Sequence, residues 1–580
     1  MDITGRKLFV KALQEEKVDT IFGYPGGTVT DLFDELKKQD QIHVVLARHE
    51  QGLVHEAEGY ARASGKPGVC LVTSGPGATN TVTAITDAFY DSIPLVVFTG
   101  QVPLNLIGND AFQEVDIMGM VKGITKYAVT VRSREELGPI IKKAFHIATT
   151  GKPGPVVIDL PKDIQVAKGP AEYPENIQIR GYKINENVHV GQLKKAFKLL
   201  QGAKRPIILA GGGVRIAKAG KQLEKFVNAT KIPLVTTVMG KGIISEENYY
   251  YIGNCGMHGR YAANKAVGEC DLLFSIGTRF NDRITGDLNE FCPKAKIVHI
   301  DIDTASISRN VVVDVPIVAD AKKALDKLAE WAEPLDTGSW MNEIYHWEEE
   351  YPLEMSRDKG MSPQMIMEGL NAAFDKAIYV TDVGQHQMWA SQYLRLEGKK
   401  SFITSGGLGT MGFGFPAAVG AKIAQPGTPV ICITGDGGFQ MNMQEMATAV
   451  IEGAPVIVCI LNNSYLGMVR QMQQLFYGKR YEATSLTCKV DNNTKNKKGR
   501  DHETDDAASK LPYIPDFMTW AQSYGAMGIR VEKQEEIAPA IEKAKKNQKT
   551  PTVIEFMIDW HEIVLPMVPG GSPMSEMILN

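Results

Sequence analysis

The most regular feature of the sequence is an alternation between short apolar runs and amphipathic segments with helical spacing. The run His43–Ala47, for example, is followed by a helical pattern over Glu50–Ser64, and a second run, Val69–Thr73, comes next. Alternating strand and helix patterns are typical of parallel sheets covered by helices on both faces. The pattern therefore predicts an α/β protein built from doubly wound parallel sheets. The other predicted strands are Thr20–Gly23, Leu95–Thr99, Val156–Asp159, Pro206–Ala210, Pro233–Thr237, Asp271–Ile276, Lys296–Ile300, Ile378–Thr381, Val430–Thr434, Val456–Leu461 and Thr552–Phe556.

The alternation is interrupted by polar stretches that divide the chain into three parts. A chain of 580 residues has room for three or four domains. We predict an N-terminal domain over 1–165, a central domain over 188–335 and a C-terminal domain over 360–580. Within the last of these, residues 487–510 contain one aliphatic residue larger than alanine, Val490, and many charged side chains. That composition predicts a flexible insertion.

The strongest chemical pattern lies between Gly435 and Asn463. The apolar run Val430–Thr434 ends in Gly-Asp-Gly, an amphipathic helix is predicted over Met441–Glu452, and the run Val456–Leu461 ends in two asparagines. Parallel strands of a βαβ unit end at the same edge of their sheet, so Asp436 and Asn463 should converge. A carboxylate and an amide oxygen suit Mg²⁺, which usually keeps phosphate oxygens as further ligands. The pattern predicts a magnesium site that binds a diphosphate, although either turn alone would be an ordinary turn.

Other candidates are weaker when each is taken alone. Glu50 stands where a strand ends and a helix begins, which also suits a charge in the first helical turn. His386 is equally compatible with a structural histidine and with a phosphate ligand. Arg279 and Arg283 follow a strand and could bind phosphate or form surface ion pairs. The turn Gly211–Gly213 lacks the full dinucleotide-binding pattern.

Composition narrows the class of protein. A net charge of −4 indicates no surface for polyanions, and we expect no nucleic-acid partner. No apolar run is long enough to span a bilayer, and the N-terminal residues do not resemble a signal peptide. The seven cysteines are scattered and several lie in apolar runs, which is typical of reduced core residues. We therefore expect a cytoplasmic protein without a membrane partner.

The Gly-Asp-Gly and Asn-Asn pair resembles the thiamine diphosphate motif, and almost the whole chain resembles one family that carries it. That family is the catalytic (large) subunit of acetolactate synthase, also called acetohydroxyacid synthase. The matching stretches are Phe22–Gly27, Arg48–Gln51, Leu71–Asn80, Asp110–Glu114, Leu160–Asp163, Gly256–Gly259, Gly384–Trp389, Gly407–Gly412 and Leu565–Val568.

The resemblance implies a fold, a reaction and a set of cofactors. Pyrimidine-binding and diphosphate-binding domains would flank a central FAD-type domain. The enzyme would decarboxylate pyruvate and transfer the two-carbon unit to a second 2-oxo acid, giving 2-acetolactate, or 2-aceto-2-hydroxybutanoate from 2-oxobutanoate. This is the first common step of valine, leucine and isoleucine biosynthesis. Thiamine diphosphate, Mg²⁺ and FAD would be bound, FAD in a structural role. A homodimer or homotetramer with sites between subunits and a small regulatory subunit are also implied.

The resemblance also assigns roles to residues. Glu50 would activate the cofactor, and Gly26, Gly27, Phe112, Gln113 and Lys162 would line the substrate end. Magnesium would be held by Asp436, Asn463 and Tyr465. The remaining thiamine diphosphate contacts would be Gln385, His386, Gly409, Met411, Gly437, Gly438, Gly467 and Met468. The FAD contacts would be Lys152, Gly211, Gly212, Gly213, Met257, His258, Gly259, Gly277, Arg279, Asn281, Arg283, Asp301 and Asp320.

Three positions depart from the family pattern. Lys152 stands in place of an arginine and Asn281 in place of an aspartate in the FAD set, and a lysine cannot reproduce the planar fork of arginine. Met472 replaces a tryptophan linked to acceptor choice, so we expect a weaker preference for 2-oxobutanoate.

Three alternatives stay open at this point: an FAD-dependent pyruvate oxidase, a catabolic acetolactate synthase without FAD, and an inactive homologue. Gln113, Lys162 and Leu565–Val568 favour the synthase over the oxidase. The matched FAD positions favour the biosynthetic type over the catabolic one. Intact Glu50, Asp436 and Asn463 argue against an inactive homologue.

Overall fold

Three six-stranded parallel sheets form the framework of the protein, which confirms the predicted α/β fold class. The computed structural model describes residues 2–184, 187–357, 360–397, 399–486 and 515–579. The predicted insertion at 487–510 lies outside the described residues. The limits predicted for the three domains stay predictions.

The N-terminal sheet has the strand order β3-β2-β4-β5-β7-β6. Its strands are β2 (Thr20–Tyr24), β3 (His43–Leu46), β4 (Gly68–Val72), β5 (Leu95–Gln101), β6 (Tyr127–Thr130) and β7 (Pro155–Pro161). A separate antiparallel pair is formed by β1 (Asp2–Thr4), which precedes the strands of this sheet in the sequence, and β8 (Lys168–Pro170), which follows them. The helices are α1 (Gly5–Glu15), α2 (Thr30–Leu36), α3 (Glu50–Ser64), α4 (Pro76–Thr79), α5 (Val82–Asp91), α6 (Ile117–Val121), α7 (Leu137–Thr149) and α8 (Lys162–Val166).

The central sheet has the order β11-β10-β9-β12-β13-β14, so the direction of winding reverses beside its first strand, β9. Its strands are β9 (Pro206–Ala210), β10 (Leu234–Thr236), β11 (Tyr251–Asn254), β12 (Leu272–Ile276), β13 (Lys296–Asp301) and β14 (Val315–Val318). Its helices are α9 (Val190–Gly202), α10 (Gly212–Ile216), α11 (Gly220–Thr230), α12 (Tyr261–Glu269), α13 (Asp282–Thr285), α14 (Ala321–Ala329), α15 (Gly338–Glu350) and α16 (Pro363–Ala373).

The C-terminal sheet has the order β16-β15-β17-β18-β20-β19, the same connectivity as the N-terminal sheet. Its strands are β15 (Lys376–Thr381), β16 (Lys399–Thr404), β17 (Val430–Gly435), β18 (Ile457–Asn462), β19 (Met527–Val531) and β20 (Thr552–Met557). Its helices are α17 (Gln385–Tyr393), α18 (Gly414–Ala424), α19 (Asp436–Asn442), α20 (Met446–Ile451), α21 (Gly467–Phe476), α22 (Phe517–Ser523) and α23 (Ile537–Lys546).

The chain divides into two compact units. The first comprises Met1–Tyr182, Ala377–Gln387 and Ile403–Trp560, and the second comprises Lys183–Lys376, Met388–Phe402 and His561–Asn580. The first unit therefore contains the N-terminal sheet and most of the C-terminal one, while the second contains the central sheet.

Two glycines allow the halves of the first unit to meet backbone to backbone. A methyl group at Gly59 of α3 would overlap the carbonyl oxygen of Ala417 in α18. A methyl group at Gly420 of α18 would likewise overlap the carbonyl oxygen of Glu56 in α3. Glycine permits this approach because it has no Cβ. The small residues of these helices are thus explained by packing.

The prediction of a single helix over Met441–Glu452 is wrong. The helix α19 ends at Asn442, a 3₁₀ turn spans Met443–Glu445, and α20 begins at Met446. Asn442 leaves the helical conformation, with φ −136° and ψ 25°, and its side-chain amide donates to the carbonyl oxygen of Gly412 at 2.8 Å. This side-chain hydrogen bond competes with continuation of the helix.

Two of the predictions made from composition concern membrane-spanning helices and the state of the cysteines. No helix among the described residues combines the length and the apolar character needed to cross a bilayer. Six of the seven cysteines are described, and all six are buried free thiols. Cys488 lies outside the described residues.

Candidate functional site

Asp436 and Asn463 follow neighbouring strand ends in the C-terminal sheet. Strands β17 and β18 pair in parallel, with Gly435 opposite Leu461. Asp436 is the first residue of α19 and is 1% exposed. Its Oδ2 atom has no hydrogen-bond partner among the described residues. A buried carboxylate oxygen without a partner is costly, so this atom is suited to a ligand such as a cation.

Burial also governs the charge of Asp436. It raises the pKa of the carboxyl group to about 8, although backbone N–H groups of Asp436, Gly437 and Ser464 act in the opposite direction. A divalent cation beside this carboxylate would favour the ionised form and reverse the effect of burial. The residues present therefore fit a magnesium ion.

A chain of side-chain amides fixes the orientation of Asn463. Its Nδ2 atom donates to Oε1 of Gln385 at 3.1 Å, and Nε2 of Gln385 donates to Oε1 of Gln471 at 2.9 Å. The Oδ1 atom of Asn463 accepts from the backbone N–H of Tyr465 at 3.1 Å. A methyl group at Gly467 would overlap Gln385, so glycine is needed at that position. The amide oxygen of Asn463 is thus held on the side of Tyr465.

His386 lies against the same strand end. A methyl group at Gly435 would lie 2.9 Å from Nδ1 of the imidazole. Burial lowers the pKa of His386 to about 3, so the ring is neutral at physiological pH. Its Nε2 atom is buried and has no hydrogen-bond partner among the described residues. Two buried polar atoms without partners, one on Asp436 and one on His386, therefore mark this edge of the sheet.

Buried acids hold the loop that carries Gly409 and Met411. The hydroxyl oxygen of Ser405 accepts from the N–H groups of Gly409 and Thr410, at 3.1 and 2.9 Å, and the same hydroxyl donates to Asp87. The Sδ-bound methyl of Met411 lies 4.0 Å from the position of a Cβ at Gly437. The loop therefore brings Met411 to the glycines beside Asp436.

Asp382 is a residue that the sequence reasoning missed. It follows β15, is fully buried, and accepts from the N–H groups of Gly412 and Gly414 at 2.9 to 3.1 Å. A methyl group at Gly438 would lie 2.5 Å from its Oδ1. Burial raises the pKa of Asp382 to about 6. The available signal was its position directly after an apolar strand.

Glu50 is the first residue of α3, as predicted, and is 9% exposed. Its Oε2 atom accepts from Nδ2 of Asn80 at 3.0 Å. Val54 and Ala57, further along the same helix, are fully buried. The carboxylate is therefore oriented by one amide and shielded from water. Asn80 belongs to one of the stretches that match the family, but the spacing of residues in the sequence does not predict its hydrogen bond with Glu50.

The residues expected at the substrate end follow several strands of the N-terminal sheet. The ammonium group of Lys162, after β7, donates to the carbonyl oxygen of Gly27, after β2, at 2.9 Å. Gly26 lies against Thr73, which follows β4. Gln113 has a left-handed backbone with φ 60° and lies against Gly75. Phe112 is 89% exposed within the chain.

Four of the positions matched to FAD, Gly211–Gly213 and Gly277, lie where the central sheet changes its direction of winding. Gly211–Gly213 follow β9, and the backbone of Gly213 lies against that of Gly277, which follows the neighbouring strand β12. Ligands of open α/β sheets bind at such a point. Burial lowers the pKa of His258 to about 4, and its Nδ1 atom lies 3.3 Å from the carbonyl oxygen of Pro566.

Several other matched positions of the central sheet form local hydrogen bonds. The backbone N–H of Met257 donates to the carbonyl oxygen of Arg283 at 2.8 Å. Asp320 caps α14 by accepting from the N–H of Lys323 at 3.0 Å, and Oδ1 of Asp301 accepts from Asp303 at 2.8 Å. Lys152 belongs to the first compact unit, whereas the rest of this set belongs to the second.

Comparison with known proteins gives matches along the whole chain. Three family descriptions match: the N-terminal TPP binding domain of thiamine pyrophosphate enzymes over residues 3–120, their central domain over 193–328, and their C-terminal TPP binding domain over 382–556. The chain is similar to the acetolactate synthase large subunit of Haemophilus influenzae, with 42% identity over 100% of this chain and 98% of the relative.

Two further relatives come from an archaeon and a bacterium. A probable acetolactate synthase large subunit from Methanococcus aeolicus is 45% identical over 99% of this chain and 95% of its own length. The large subunit of acetolactate synthase isozyme 3 from Escherichia coli is 41% identical over 100% of this chain and 99% of its own length. The similarity therefore covers all three sheets.

Proposed function

Because the chain belongs to the acetolactate synthase large-subunit family, we propose that it decarboxylates pyruvate and joins the remaining two-carbon unit to a second 2-oxo acid. With pyruvate as acceptor the product is 2-acetolactate. Thiamine diphosphate is the cofactor, since the matched domains are those of thiamine pyrophosphate enzymes. When bound, it would supply a nucleophilic carbon and a positively charged thiazolium ring that delocalises the electron pair left by loss of CO₂.

The observation that carries this proposal is the pair of buried polar atoms without partners beside Gly435. Asp436 and Asn463, together with the carbonyl oxygen of Tyr465, would hold Mg²⁺ as oxygen ligands. The imidazole of His386 and the backbone of Gly437 and Gly438 would contact the diphosphate, because a helix N-terminus with little side-chain bulk favours bound phosphate. The other diphosphate contacts in the proposal are Gln385, Gly467 and Met468.

Glu50 would hold the proton at N1′ of the aminopyrimidine ring. Its burial and its hydrogen bond from Asn80 keep water away from the carboxyl group and fix its direction. The carbonyl oxygen of Gly409 would accept from the 4′-amino group, and Met411 would support the bent cofactor.

Lys162 and Gln113 would position the substrates. Lys162 presents a cation at the carboxyl ends of the strands, where the carboxylate of a 2-oxo acid can be attracted. Gly26, Gly27 and Phe112 complete the proposed lining. The exposed ring of Phe112 is available for burial by another subunit, in keeping with the proposed site between two copies of the chain.

FAD is the third proposed ligand, bound at the central sheet. The close approach of Gly213 and Gly277 leaves backbone without side chains at the point where dinucleotides bind in such folds. Arg279 and Arg283 would contact its phosphates. Lys152 and Asn281 replace the usual residues and should weaken the affinity for FAD.

The proposal also covers the second acceptor substrate, the oligomeric state and the cellular location of the protein. We propose 2-oxobutanoate as a second acceptor, a homodimer or homotetramer, a small regulatory subunit and a cytoplasmic location. The buried free thiols are compatible with a reducing compartment.

The test is the stoichiometry of the reaction with purified protein, thiamine diphosphate, Mg²⁺ and pyruvate. Two pyruvates should disappear for each CO₂ and each 2-acetolactate formed, without consumption of oxygen. Consumption of oxygen with one pyruvate per CO₂ would instead identify the oxidase. Mass spectrometry of the released cofactors then separates the FAD-containing synthase from the catabolic form.

A further inference from the structure

Glu445 binds the backbone directly ahead of the proposed cofactor-activating residue. It ends the 3₁₀ turn Met443–Glu445 and is fully buried. Its carboxylate accepts from the N–H of Arg48 at 3.1 and 3.0 Å and from the N–H of His49 at 3.0 Å. Glu50 is the next residue in the chain and begins α3. The N-cap of α3 is His49, whose Nδ1 accepts from the N–H of Gln51 at 3.1 Å. Glu445 therefore holds the backbone of the two residues that lead into the helix that presents Glu50.

The surroundings of Glu445 are shaped for this contact. A methyl group at position 52 would lie 2.6 Å from Oε1 of Glu445, so Gly52 leaves room for the carboxylate. The hydroxyl of Thr448 donates to Oε2 at 2.7 Å. Both carboxylate oxygens are thereby held in place, and the side chain has little freedom to turn away.

Glu445 keeps the negative charge although another acid is close. Glu56 is fully buried, and burial together with the charge of Glu445 raises the pKa of Glu56 well above its usual range. Glu445 receives three donors, whereas neither carboxyl oxygen of Glu56 has a partner among the described residues. Burial raises the pKa of Glu445 as well, but hydrogen bonds from Thr448, Arg48 and His49 oppose that effect. We therefore assign the proton of the pair to Glu56, and the carboxylate of Glu445 faces the N–H groups of Arg48 and His49.

The chain connects Glu445 to the proposed metal ligand. Asp436 begins α19, and the 3₁₀ turn that ends in Glu445 follows α19 without a break. The same segment thus carries Asp436 at one end and, at the other, the carboxylate that binds the backbone directly before α3. The 3₁₀ turn that interrupts the predicted helix is the one that carries Glu445.

We infer that Glu445 is a positioning residue for the reaction: it holds the first turn of α3 so that Glu50 reaches the aminopyrimidine ring of the cofactor. The inference rests on the proposed function, since it concerns the role proposed for Glu50. A displacement of about 1 Å at a catalytic group can reduce a rate by about 100-fold, so the effect of losing this contact is measurable.

The experiment measures the exchange of the C2 proton of thiamine diphosphate for deuterium on the enzyme, with the cofactor and Mg²⁺ saturating. This step precedes substrate and depends on Glu50, while a loss of stability alone would not slow it in the folded, saturated enzyme. Glu445→Leu should slow the exchange by about 10-fold to 100-fold. Glu445→Gln keeps an oxygen that can accept from both N–H groups and should remain within about fivefold of the wild type.

Gly52→Ala provides a second, independent variant. Alanine has the higher helix propensity, so α3 itself is not weakened, but its methyl group displaces the carboxylate of Glu445. We expect exchange to slow by at least about fivefold. Asp159→Asn is the matched control, because Asp159 is a buried acid that accepts from Thr99 and Thr130, on strands away from the start of α3.

Glu50→Gln distinguishes failure of the proposed function from failure of the positioning role. If Glu50→Gln exchanges at the wild-type rate, the proposed activation by Glu50 is wrong. If Glu50→Gln is slow while Glu445→Leu and Gly52→Ala match the wild type, the positioning role is overturned and the proposed function stands. Should Glu445→Leu fail to fold, Gly52→Ala decides the question.

Discussion

The N-terminal and C-terminal sheets have the same strand order, yet their functional edges differ in one physical respect. At the N-terminal edge the charged groups of the proposed site have partners within the chain: Asn80 donates to Glu50, and Lys162 donates to the carbonyl oxygen of Gly27. The buried hydroxyl of Ser74 at this edge has no partner among the described residues. At the C-terminal edge, Oδ2 of Asp436 and Nε2 of His386 are buried without partners among the described residues. The carboxylate proposed for the N-terminal edge, Glu50, has a hydrogen-bond donor within the chain, whereas one oxygen of the buried carboxylate at the C-terminal edge has none within the described ranges.

The comparison shows how one connectivity can serve two purposes. The third strand of the N-terminal sheet, β4, leads into Thr73 and Ser74, whereas the third strand of the C-terminal sheet, β17, leads into Asp436. The fold places both positions at a strand end, and only the side chain decides which one binds a cation. We therefore expect the C-terminal edge to hold the cofactor and the N-terminal edge to activate it.

The largest effect should come from Asp436→Ala. Removal of a carboxylate ligand should raise the Mg²⁺ concentration for half-saturation by at least about 100-fold and reduce turnover by about 1,000-fold or more. Ser74→Ala, at the equivalent strand end, should shift the Mg²⁺ midpoint by less than about twofold. Titration of turnover with Mg²⁺ measures both variants. Equal sensitivity of the two edges would contradict the comparison.

Glu50→Gln should reduce turnover by about 100-fold to 1,000-fold, the usual range for loss of a group that transfers or holds a proton. Because this edge does not hold the diphosphate, the affinity for thiamine diphosphate should stay within about fivefold. Fluorescence titration gives the affinity and a product assay gives the rate. A large loss of affinity with little change in rate would reverse the assignment of roles.

The affinity for Mg²⁺ should depend on pH through Asp436. Its folded-state pKa is raised to about 8 by burial, so below that pH the carboxyl group is protonated and Mg²⁺ must displace the proton. With thiamine diphosphate saturating, affinity should rise about tenfold per pH unit from pH 6 to 8 and level off above 8. His386 has its pKa near 3 and does not titrate in this range.

The same raised pKa sets the sign for stability. A carboxyl group with a raised folded-state pKa favours folding while protonated and loses that contribution as pH rises from about 4 to 8. Without Mg²⁺, thermal stability should therefore fall over this interval, and saturating Mg²⁺ should restore part of it at pH 8. Calorimetric melting with and without Mg²⁺ tests this, and a flat difference between pH 6 and 8 would contradict it.

The smallest effect should come from Met472→Trp. Met472 lies on α21, the helix that follows Asn463, and is partly exposed. A rigid indole in place of a flexible thioether should raise the preference for 2-oxobutanoate over pyruvate by about threefold to tenfold. Competition between equal concentrations of the two acceptors measures the ratio. An unchanged ratio would indicate that residues of the N-terminal edge, and not Met472, determine the preference between the two acceptors.

The sequence predicted the interior of the fold better than its borders. The strands missed in all three sheets are β6, β11, β14, β16 and β19, and each lies at a sheet edge. Strands β6, β14 and β19 contain exposed or half-buried positions, so they lack the fully buried pattern of β4 or β17. Strand β11 is an exception, since three of its four residues are buried. Edge strands face water on one side, and their pattern is weaker for that reason.

The residues of the candidate site also differ in how well the sequence predicts them. Asp436 and Asn463 could be paired from spacing, because a βαβ unit has a fixed geometry. Asp382 and Glu445 could not, since they act on backbone N–H groups distant in the sequence, and a lone acid in an amphipathic segment has the same pattern as a surface charge. The assignment of roles to individual residues came from the family resemblance and stays a prediction.

The contact of α3 with α18 has a genetic consequence. At Gly59 and Gly420 the atoms that a side chain would meet belong to backbone carbonyl groups, so no substitution elsewhere can trim them away. A damaging change at either glycine should therefore yield true revertants and no second-site suppressors in the facing helix. Substitutions elsewhere in these two helices can be compensated by changes in neighbouring side chains, whereas Gly59 and Gly420 have to remain glycine.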